Sequence, residues 1–449
     1  MPTTPWKLTL PFLFALMLVW GQGPLSPLQA EPPSPMASSP VAPRPVELSP
    51  VPLESLGQQV HIQVEVESFE YLARLHHPGL QVAQARVRAA EGAAIQAGLP
   101  LNPTIGYAGD QIGDDGTSGM QGIGASQVWQ TAGKRMLARE VELWEVEKAR
   151  QEFAMMEQRV LTDVRRAYFQ VLLTQRQIDL AREITRLNRS SVDVIRKGVE
   201  GQEQSRATLL QSEIEAERIA LDLARFEETH RFAWKNLIAV VGAGELPVVP
   251  LAGDPEKLLE PLEWDSALSR LQSQSPQVAK AMSEIQRARS EVALQGANRY
   301  SDIETEALVQ YNEATREMNA GVGIGMELRI WDRNQGNIMR ARAELMAAQR
   351  QLEVVQRQLE SALSEQFTEY RQAELEVRLI QEKILPRSRE LMQLVEDAQG
   401  GGEADQIDVL VARQVLVQGQ MEYLVALANL WDARWRIEGF LLEGALWEE

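Results

Sequence analysis

The chain has 449 residues, with 45 lysines and arginines against 63 aspartates and glutamates, which gives a formal net charge of −18. No block of basic residues offsets this acidity, so the composition argues against a strong preference for nucleic acid or for anionic lipid headgroups. Cysteine is absent, which excludes disulfides, cysteine-ligated metal sites, a thiol nucleophile and a lipidated N-terminal cysteine.

The N-terminal segment is typical of an exported protein. Lys7 is followed by an apolar run from Leu8 to Trp20, which is shorter than the roughly 20 residues of a spanning helix. This layout predicts a secretory signal peptide over residues 1–30. The segment after it is rich in proline, which predicts an extended leader over residues 31–59.

The rest of the chain carries the same order of features twice. The helix opened by Pro78 is matched by the helix opened by Pro276, and Trp234 falls level with Trp435. A periodic recurrence of this kind predicts an internal repeat. The predicted units are a first repeat over residues 60–245, a linker over residues 246–263 and a second repeat over residues 264–445.

Four short segments alternate between apolar residues and small or polar ones. In one of them, Val322, Ile324 and Met326 are separated by single glycines. A period of two predicts strands with one apolar face and one small or polar face. Lipid contact and half-burial in a soluble sheet would both give this pattern, so both interpretations remain open here. The predicted strands cover residues 103–111, 121–130, 302–311 and 321–331.

Two very long segments have the spacing of coiled-coil helices. Leu161, Val164 and Tyr168 advance by steps of three and four, which predicts knobs-into-holes packing. In the second repeat, Pro386 predicts a kink in the long helix. The predicted long helices cover residues 132–198 and 336–399, and the predicted return helices cover residues 203–241 and 404–443.

Glycine-containing breaks separate each long helix from its return helix. They fall at Gly198 to Gly201 and at Gly400 to Gly402. We interpret them as exposed hairpin tips at the end of the helices far from the strands, where a partner protein can reach the chain. The residues assigned to this contact are Gly198, Glu200, Gly201, Glu203, Gly400, Gly401, Glu403 and Asp405.

Together these features resemble the TolC family of outer-membrane efflux proteins over about residues 60–445. The run from Ile330, IWDRNQGNIMRARAEL, resembles the strand-to-helix signature of the CzcC/CusC-like cation-efflux branch, and VWQTAGKRMLARE from Val128 is its first-repeat counterpart. The same residue types also suit a turn and a helix cap, so a purely structural role remains the alternative. The signature residues are Asp332, Arg333, Asn334, Gln335, Gly336 and Asn337.

The resemblance implies a fold that is mainly α with a small β part. It implies a homotrimer in which four strands per chain form one twelve-stranded outer-membrane β-barrel, continued by a long coiled-coil α-helical barrel in the periplasm. The implied partners are a periplasmic adaptor protein, an inner-membrane pump of the resistance–nodulation–division (RND) type and outer-membrane lipid. The implied location is the cell outer membrane, extending into the periplasm.

The resemblance also implies an acidic residue at the periplasmic entrance. Gly402 is followed six residues later by Asp408, which matches the spacing seen in the family. Val411 stands where a second aspartate is expected, and Ala207 is the first-repeat equivalent of Asp408. A solvated acid in the first turn of a helix is the alternative role for Asp408.

The sequence contains no constellation of catalytic or metal-binding residues. His76 and His77 precede Pro78 and are expected to serve the start of a helix, while Met155 and Met156 are expected to fill a coiled-coil core. We therefore predict no enzymatic activity, no cofactor, no metal site and no nucleic-acid partner.

The sequence thus favours a passive exit duct of a tripartite efflux system, which conducts metal ions or small toxic compounds across the periplasm and outer membrane. Two alternatives remain open at this point, namely an outer-membrane conduit for type I protein secretion and a non-conducting periplasmic coiled-coil scaffold. The alternating pattern of residues 321–331 disfavours the scaffold.

Overall fold

The computed structural model describes residues 64–446, apart from residues 114, 115, 117, 203, 245, 258, 259, 402, 403 and 405. The predicted signal peptide over residues 1–30 and the predicted leader over residues 31–59 lie outside the described residues.

The described chain is mainly α-helical with one small antiparallel sheet, so the predicted fold class is confirmed. The first half holds α1 (Val66–His76), α2 (Pro78–Ala97), β1 (Thr104–Asp110), β2 (Met120–Trp129), α3 (Lys134–Glu200) and α4 (Arg206–Val241). The second half has the same order, with α5 (Trp264–Gln274), α6 (Pro276–Ala297), β3 (Ile303–Asn312), β4 (Glu317–Met326), α7 (Gln335–Leu379), a π-helical turn (Ile380–Ile384), α8 (Leu385–Gly401) and α9 (Gln406–Glu438).

The two longest helical stretches match in length. α3 has 67 residues, and α7, the π turn and α8, with 45, 5 and 17 residues, form an uninterrupted stretch of the same length. The sequence predicts a kink at Pro386, and the π turn lies immediately before that proline; in it the N–H of Leu385 bonds to the carbonyl of Ile380. In a helix interior, a proline ring clashes with a preceding carbonyl and has no N–H to donate. The wider π turn makes room for the ring and accommodates the missing hydrogen bond. None of the helices in the described part of the chain combines the length and apolar character needed to cross a bilayer.

Pairs of shorter helices run along the long ones. α2 and α4 both pack against α3, while α6 and α9 pack between α3 and α7. The end of α4 meets the start of α2, because a Cβ at Gly242 would lie only 2.9 Å from the Cα of His77. Gly242 also has a left-handed φ of 72°, so this end-to-end joint favours glycine on two grounds.

Each half has its own hydrophobic core, and an aromatic stack joins the two cores. In the first core, Val164 and Tyr168 are 0% and 2% exposed, as their coiled-coil spacing predicts. In the second, Leu427 is fully buried beside Trp431. The ring of Phe169 on α3 stacks on Trp431 of α9, with ring centroids 4.5 Å apart. The two halves are therefore packed together rather than merely linked.

The fourth strand lies earlier in the chain than the alternating pattern predicts. β4 covers Glu317–Met326 instead of residues 321–331, whereas the other three strands lie within one residue of their predicted bounds. Ile303 is the first residue of β3 and pairs with Met326, so the ladder ends there. Residues 327–330 continue the alternation without a partner strand, and alternation alone does not sustain a strand.

The last helix ends at Glu438, five residues before its predicted end. A Cβ at Gly439 would lie 1.9 Å from Oγ1 of Thr162, so the chain approaches α3 too closely for a side chain there. The next two residues adopt left-handed φ angles, and the N–H of Leu441 bonds to the carbonyl of Arg436 at 2.9 Å. This bond closes the end of α9 in the manner of a Schellman motif.

Equivalent buried residues cap α2 and α6. Nδ1 of His77 accepts a hydrogen bond from the N–H of Gly79 at 3.1 Å, and Oγ of Ser275 accepts one from the N–H of Gln277 at 3.3 Å. Both capping residues are 1% exposed. Burial lowers the pKa of the His77 imidazole, which keeps Nδ1 free to accept the bond.

We expect His77→Ser to make the stability of the protein less sensitive to acid. The pKa of His77 is lower in the folded protein than in the unfolded chain. Neutral His77 therefore makes its full contribution to the free energy of unfolding above about pH 6.5. That contribution is lost as the pH falls below this value, by up to about 1.4 kcal/mol per pH unit. Serine keeps the cap, as Ser275 does in the second half. Thermal unfolding between pH 7.5 and pH 5 measures the difference. His76→Ser removes an exposed histidine and should match the parent protein; if both variants behave alike, the cap does not titrate.

Candidate functional site

The four strands form one antiparallel sheet in the order β1-β2-β3-β4, and its two faces differ in chemistry. The register places Val309 opposite both Ile123 and Ala320, so these side chains share a face. That face is apolar and exposed in the single chain, with Val322 at 84% exposure. Its large apolar members are Ile105, Tyr107, Ile123, Trp129, Ile303, Val309, Tyr311, Met318, Val322, Ile324 and Met326.

The opposite face carries small and polar residues. Leu308 lies there between Gly124 and Gly321, and the carboxylates of Glu304 and Glu306 lie on the same face. A sheet with one exposed apolar face and one small or polar face fits lipid on one side and water on the other.

The outer strands of the sheet, β1 and β4, each have one unpaired edge within the described part of the chain. Unpaired N–H and C=O groups on an edge strand favour the addition of another strand. Within a membrane such groups must be paired, because no water is present to replace the missing partner. The sheet is therefore incomplete as a membrane structure when the chain is alone.

The signature residues 332–337 form the turn from the sheet into α7. Asn334 adopts a left-handed φ of 59° at the start of α7, and its Nδ2 donates to the carbonyl of Gln295 at 2.9 Å. Asn337 donates to Oδ1 of Asn334 at 2.6 Å, and Oδ1 of Asp332 accepts from the N–H of Asn334 at 2.9 Å. These contacts anchor α7 on the end of α6. The turn position that suits glycine is held by Asn334, while Gly336 lies within α7.

The first half has an equivalent turn, which is tied to the start of β3. Gly133 takes the left-handed position with a φ of 70°. The buried Nζ of Lys134 donates to Oδ1 of Asp302 at 2.7 Å, and the N–H of Thr131 donates to the same oxygen at 2.9 Å. Burial alone would raise the pKa of Asp302, but these two hydrogen bonds and the positive charges of Lys134 and Arg329 together outweigh burial and lower the pKa. The segments that connect sheet and helices in the two halves are thus bonded to one another.

The predicted hairpin tips lie at helix ends, with small differences from the predicted breaks. Gly198 and Glu200 belong to the last turn of α3, and Gly201 follows it. A Cβ at Gly198 would lie 2.9 Å from Cγ of Gln204, so glycine permits the close return of the chain. Gly400 and Gly401 are the last residues of α8 rather than part of a break. The remaining predicted tip residues, Glu203, Gly402, Glu403 and Asp405, lie outside the described residues.

The structure brings the two hairpins together close to their tips. Nη1 of Arg413 on α9 donates to Oγ of Ser191 on α3 at 3.0 Å. Asp408 lies in the first turn of α9 with its side chain exposed, next to the buried Val409. Its position is consistent both with an entrance acid and with a solvated acid at a helix start.

A groove between α3 and α4 near their tip was not identified in the sequence. It encloses about 780 Å³ and is bordered by Leu210, Ile214 and Leu221, each more than half exposed. Nη2 of Arg196 pairs with Oε1 of Glu213 across it at 3.1 Å. The spacing of the three apolar residues could have indicated the groove from the sequence, because it places an apolar stripe on one side of α4.

One member of each histidine and methionine pair has a structural role. His77 caps α2, and Met156 is 6% exposed and packs so closely on Gly79 that a Cβ there would lie 2.0 Å from its Cε. In the part of the chain that the structure describes, no group of three or more histidine, aspartate or glutamate side chains is arranged to hold a metal ion.

Comparison with known proteins agrees with this architecture. The sequence profile of the family described as "Outer membrane efflux protein" matches residues 71–243 and 267–441. The cobalt-zinc-cadmium resistance protein CzcC of Cupriavidus metallidurans is 22% identical over 285 residues, which are 61% of this chain and 66% of that protein. The match thus spans slightly less than two thirds of the length of this relative.

Solved structures have the same fold at low sequence identity. The outer membrane protein VceC of Vibrio cholerae superposes with a TM-score of 0.64 at 17% identity, covering 84% of this chain and 96% of that chain. CusC superposes with a TM-score of 0.68 at 16% identity, covering 87% of this chain and 96% of that chain. The open state of the MtrE outer membrane channel of Neisseria gonorrhoeae superposes with a TM-score of 0.66 at 16% identity, covering 85% and 89% of the two chains.

Proposed function

Because the chain belongs to the outer membrane efflux protein family, and is therefore an outer-membrane protein that extends into the periplasm rather than an enzyme, we propose that it is the exit duct of a tripartite efflux system. The duct conducts its cargo passively, and the driving force is supplied by a pump in another membrane.

The incomplete two-faced sheet is the observation that carries this proposal. Three copies of a four-stranded sheet with unpaired edges at β1 and β4 give twelve strands, enough to close a barrel. Closure pairs the edges and turns the apolar face toward lipid, while the face with Glu304 and Glu306 lines the interior. A homotrimer therefore pairs the backbone N–H and C=O groups that the single chain leaves unpaired at the edges of β1 and β4.

The helices supply the periplasmic part of the duct. A stretch of 67 residues corresponds to roughly 100 Å of helix. Both long stretches have this length, so three copies contribute six helices of equal reach to one tunnel wall. Its tips, with Glu200 and Gly401 at the helix ends, meet a periplasmic adaptor protein, and the groove beside Leu210 adds an apolar surface for that contact. An RND-type inner-membrane pump completes the assembly.

Metal ions or small toxic compounds are the proposed cargo. The similarity to CzcC, a cobalt-zinc-cadmium resistance protein, supports metal ions as the first cargo to test. An outer-membrane conduit for type I protein secretion would use a similar duct with a different inner-membrane transporter, and resistance assays separate the two.

Conductance in planar bilayers tests the duct directly. Purified protein should run as a trimer and should give discrete single-channel currents. A strain that lacks the chain should become sensitive to cobalt, zinc or cadmium, and the cloned chain should restore growth. A monomer without conductance, recovered in the soluble periplasm, would instead support the non-conducting scaffold.

Asp408→Asn should reduce the preference of the channel for cations. In a trimer, three copies of Asp408 at the entrance form a ring of like charge that attracts cations, so their loss is expected to lower the cation-to-anion permeability ratio severalfold at low salt. Reversal potentials in a salt gradient measure this ratio. Asp222→Asn removes an exposed acid on α4 and serves as the control. If Asp408→Asn and Asp222→Asn have the same ratio, the entrance assignment is wrong.

A further inference from the structure

Three arginines that lie far apart in the sequence are carried by neighbouring segments at the level where the sheet joins the helices. Arg135 is in the first turn of α3, Arg299 follows α6 and Arg333 precedes α7. The segments that carry them are bonded to one another through the contact of Lys134 with Asp302 and the contact of Asn334 with Gln295. We call Arg135, Arg299 and Arg333 the arginine collar.

The collar arginines are exposed and lack acidic partners. Within the described residues, no carboxylate forms an ion pair with any of the three, and the same holds for the exposed helix arginines Arg186, Arg387 and Arg389. Three acids at the same level have other partners. Asp302 binds Lys134, Glu327 binds Arg329 and Asp332 accepts the N–H of Asn334.

Exposed aromatic residues accompany the collar. Trp129, Tyr300 and Trp331 are 57%, 56% and 85% exposed. Trp129 ends the apolar face of the sheet, and the guanidinium of Arg299 lies 5.5 Å from the ring centre of Tyr300. Tryptophan and tyrosine concentrate where a membrane protein passes from hydrocarbon to headgroups, because their rings are amphipathic. The collar therefore stands at the depth of the headgroups.

We propose that the arginine collar binds the phosphate of anionic glycerophospholipids at the periplasmic surface of the outer membrane. The planar guanidinium donates paired hydrogen bonds to phosphate oxygens, and the segments that carry the collar adjoin the end of the apolar face, where Trp129 pairs with Ile303. This inference rests on the proposed function for the orientation of the sheet. The net charge of −18 argued against binding to anionic lipid headgroups. The folded chain nevertheless places three arginines without acidic partners at one level, which the composition does not reveal.

Lipid retention tests the collar. The purified full-length protein is incubated in detergent with equal amounts of phosphatidylglycerol and phosphatidylethanolamine, and native mass spectrometry counts the bound molecules of each. The triple variant Arg135→Gln, Arg299→Gln and Arg333→Gln should lose its preference for phosphatidylglycerol by on the order of a hundredfold, roughly fivefold per arginine. The charge-matched control replaces three exposed arginines of the helices, Arg186→Gln, Arg387→Gln and Arg389→Gln, and should keep the preference.

Further arms separate headgroup binding from other causes. Replacing the collar arginines with lysine keeps the charge and should retain most of the preference. The single Arg→Gln variants replace the triple variant if it does not assemble. Equal preference in the parent protein, the collar variant and the control variant would overturn the proposal, and so would displacement of the lipid by inorganic phosphate alone. The count of bound lipid does not depend on channel conductance. A failed conductance experiment would therefore contradict the proposed duct and leave the lipid-binding result intact.

Discussion

Val309→Arg is expected to destabilise the membrane-inserted protein by about 2–4 kcal/mol, because it places a charge on the face of the sheet that we assign to lipid. Leu308→Arg is expected to cost about 1 kcal/mol or less. The two residues are neighbours in β3, both are apolar and both lie at the same depth, but their side chains point to opposite faces. A difference in stability between the two variants therefore reports the difference between the two faces, because depth and residue type are nearly the same.

Folding into lipid vesicles measures the difference. The fraction of folded trimer across a urea series gives the free energy of unfolding for each variant at one protein concentration. A loss for Leu308→Arg that equals or exceeds the loss for Val309→Arg would mean that lipid does not contact the assigned face.

Trp431→Ala is expected to reduce the free energy of unfolding by about 3–5 kcal/mol. Trp431 is 4% exposed, stacks on Phe169 and donates from its Nε1 to the carbonyl of Pro255 at 2.9 Å. Its removal leaves a cavity where the two cores meet and a buried carbonyl without its donor. Trp431→Phe fills most of the cavity, so its loss should be smaller, about 1–3 kcal/mol for the missing hydrogen bond.

Unfolding of the detergent-solubilised protein, followed by circular dichroism in urea, measures these losses. Trp331→Ala is the matched control, because Trp331 is 85% exposed and should change the stability in detergent by less than about 0.5 kcal/mol. If Trp431→Ala loses no more than Trp331→Ala, the aromatic stack does not hold the halves together.

Periodicity predicted most of the fold because it records which face of an element is covered. The three-and-four spacing around Val164 and Tyr168 marks residues that are buried in the first core. The period of two located β1, β2 and β3 to within one residue. It misplaced β4 because the ladder ends at the partner strand, and the partner of Met326 is the first residue of β3. The position at which a strand ends depends on its partner strand. The local residue pattern carries no information about that partner.

The candidate surfaces were less accessible from the sequence. The capping role of His77 could be read from its place before Pro78, and the tips from their glycines. The arginine collar could not, since Arg135, Arg299 and Arg333 are separated by long stretches in which arginine is common. What distinguishes them is their place beside Trp129, Tyr300 and Trp331 where the sheet joins the helices, and that place depends on the folded arrangement.

The stack of Phe169 on Trp431 has a consequence for biogenesis. The two rings come from opposite halves of the chain, so the α3 side of the interface stays uncovered until α9 has emerged into the periplasm. Contacts between residues so distant in sequence form late and slowly, and the waiting intermediate exposes aromatic surface. We therefore expect the nascent first half to need protection of this aromatic surface until the second half has arrived.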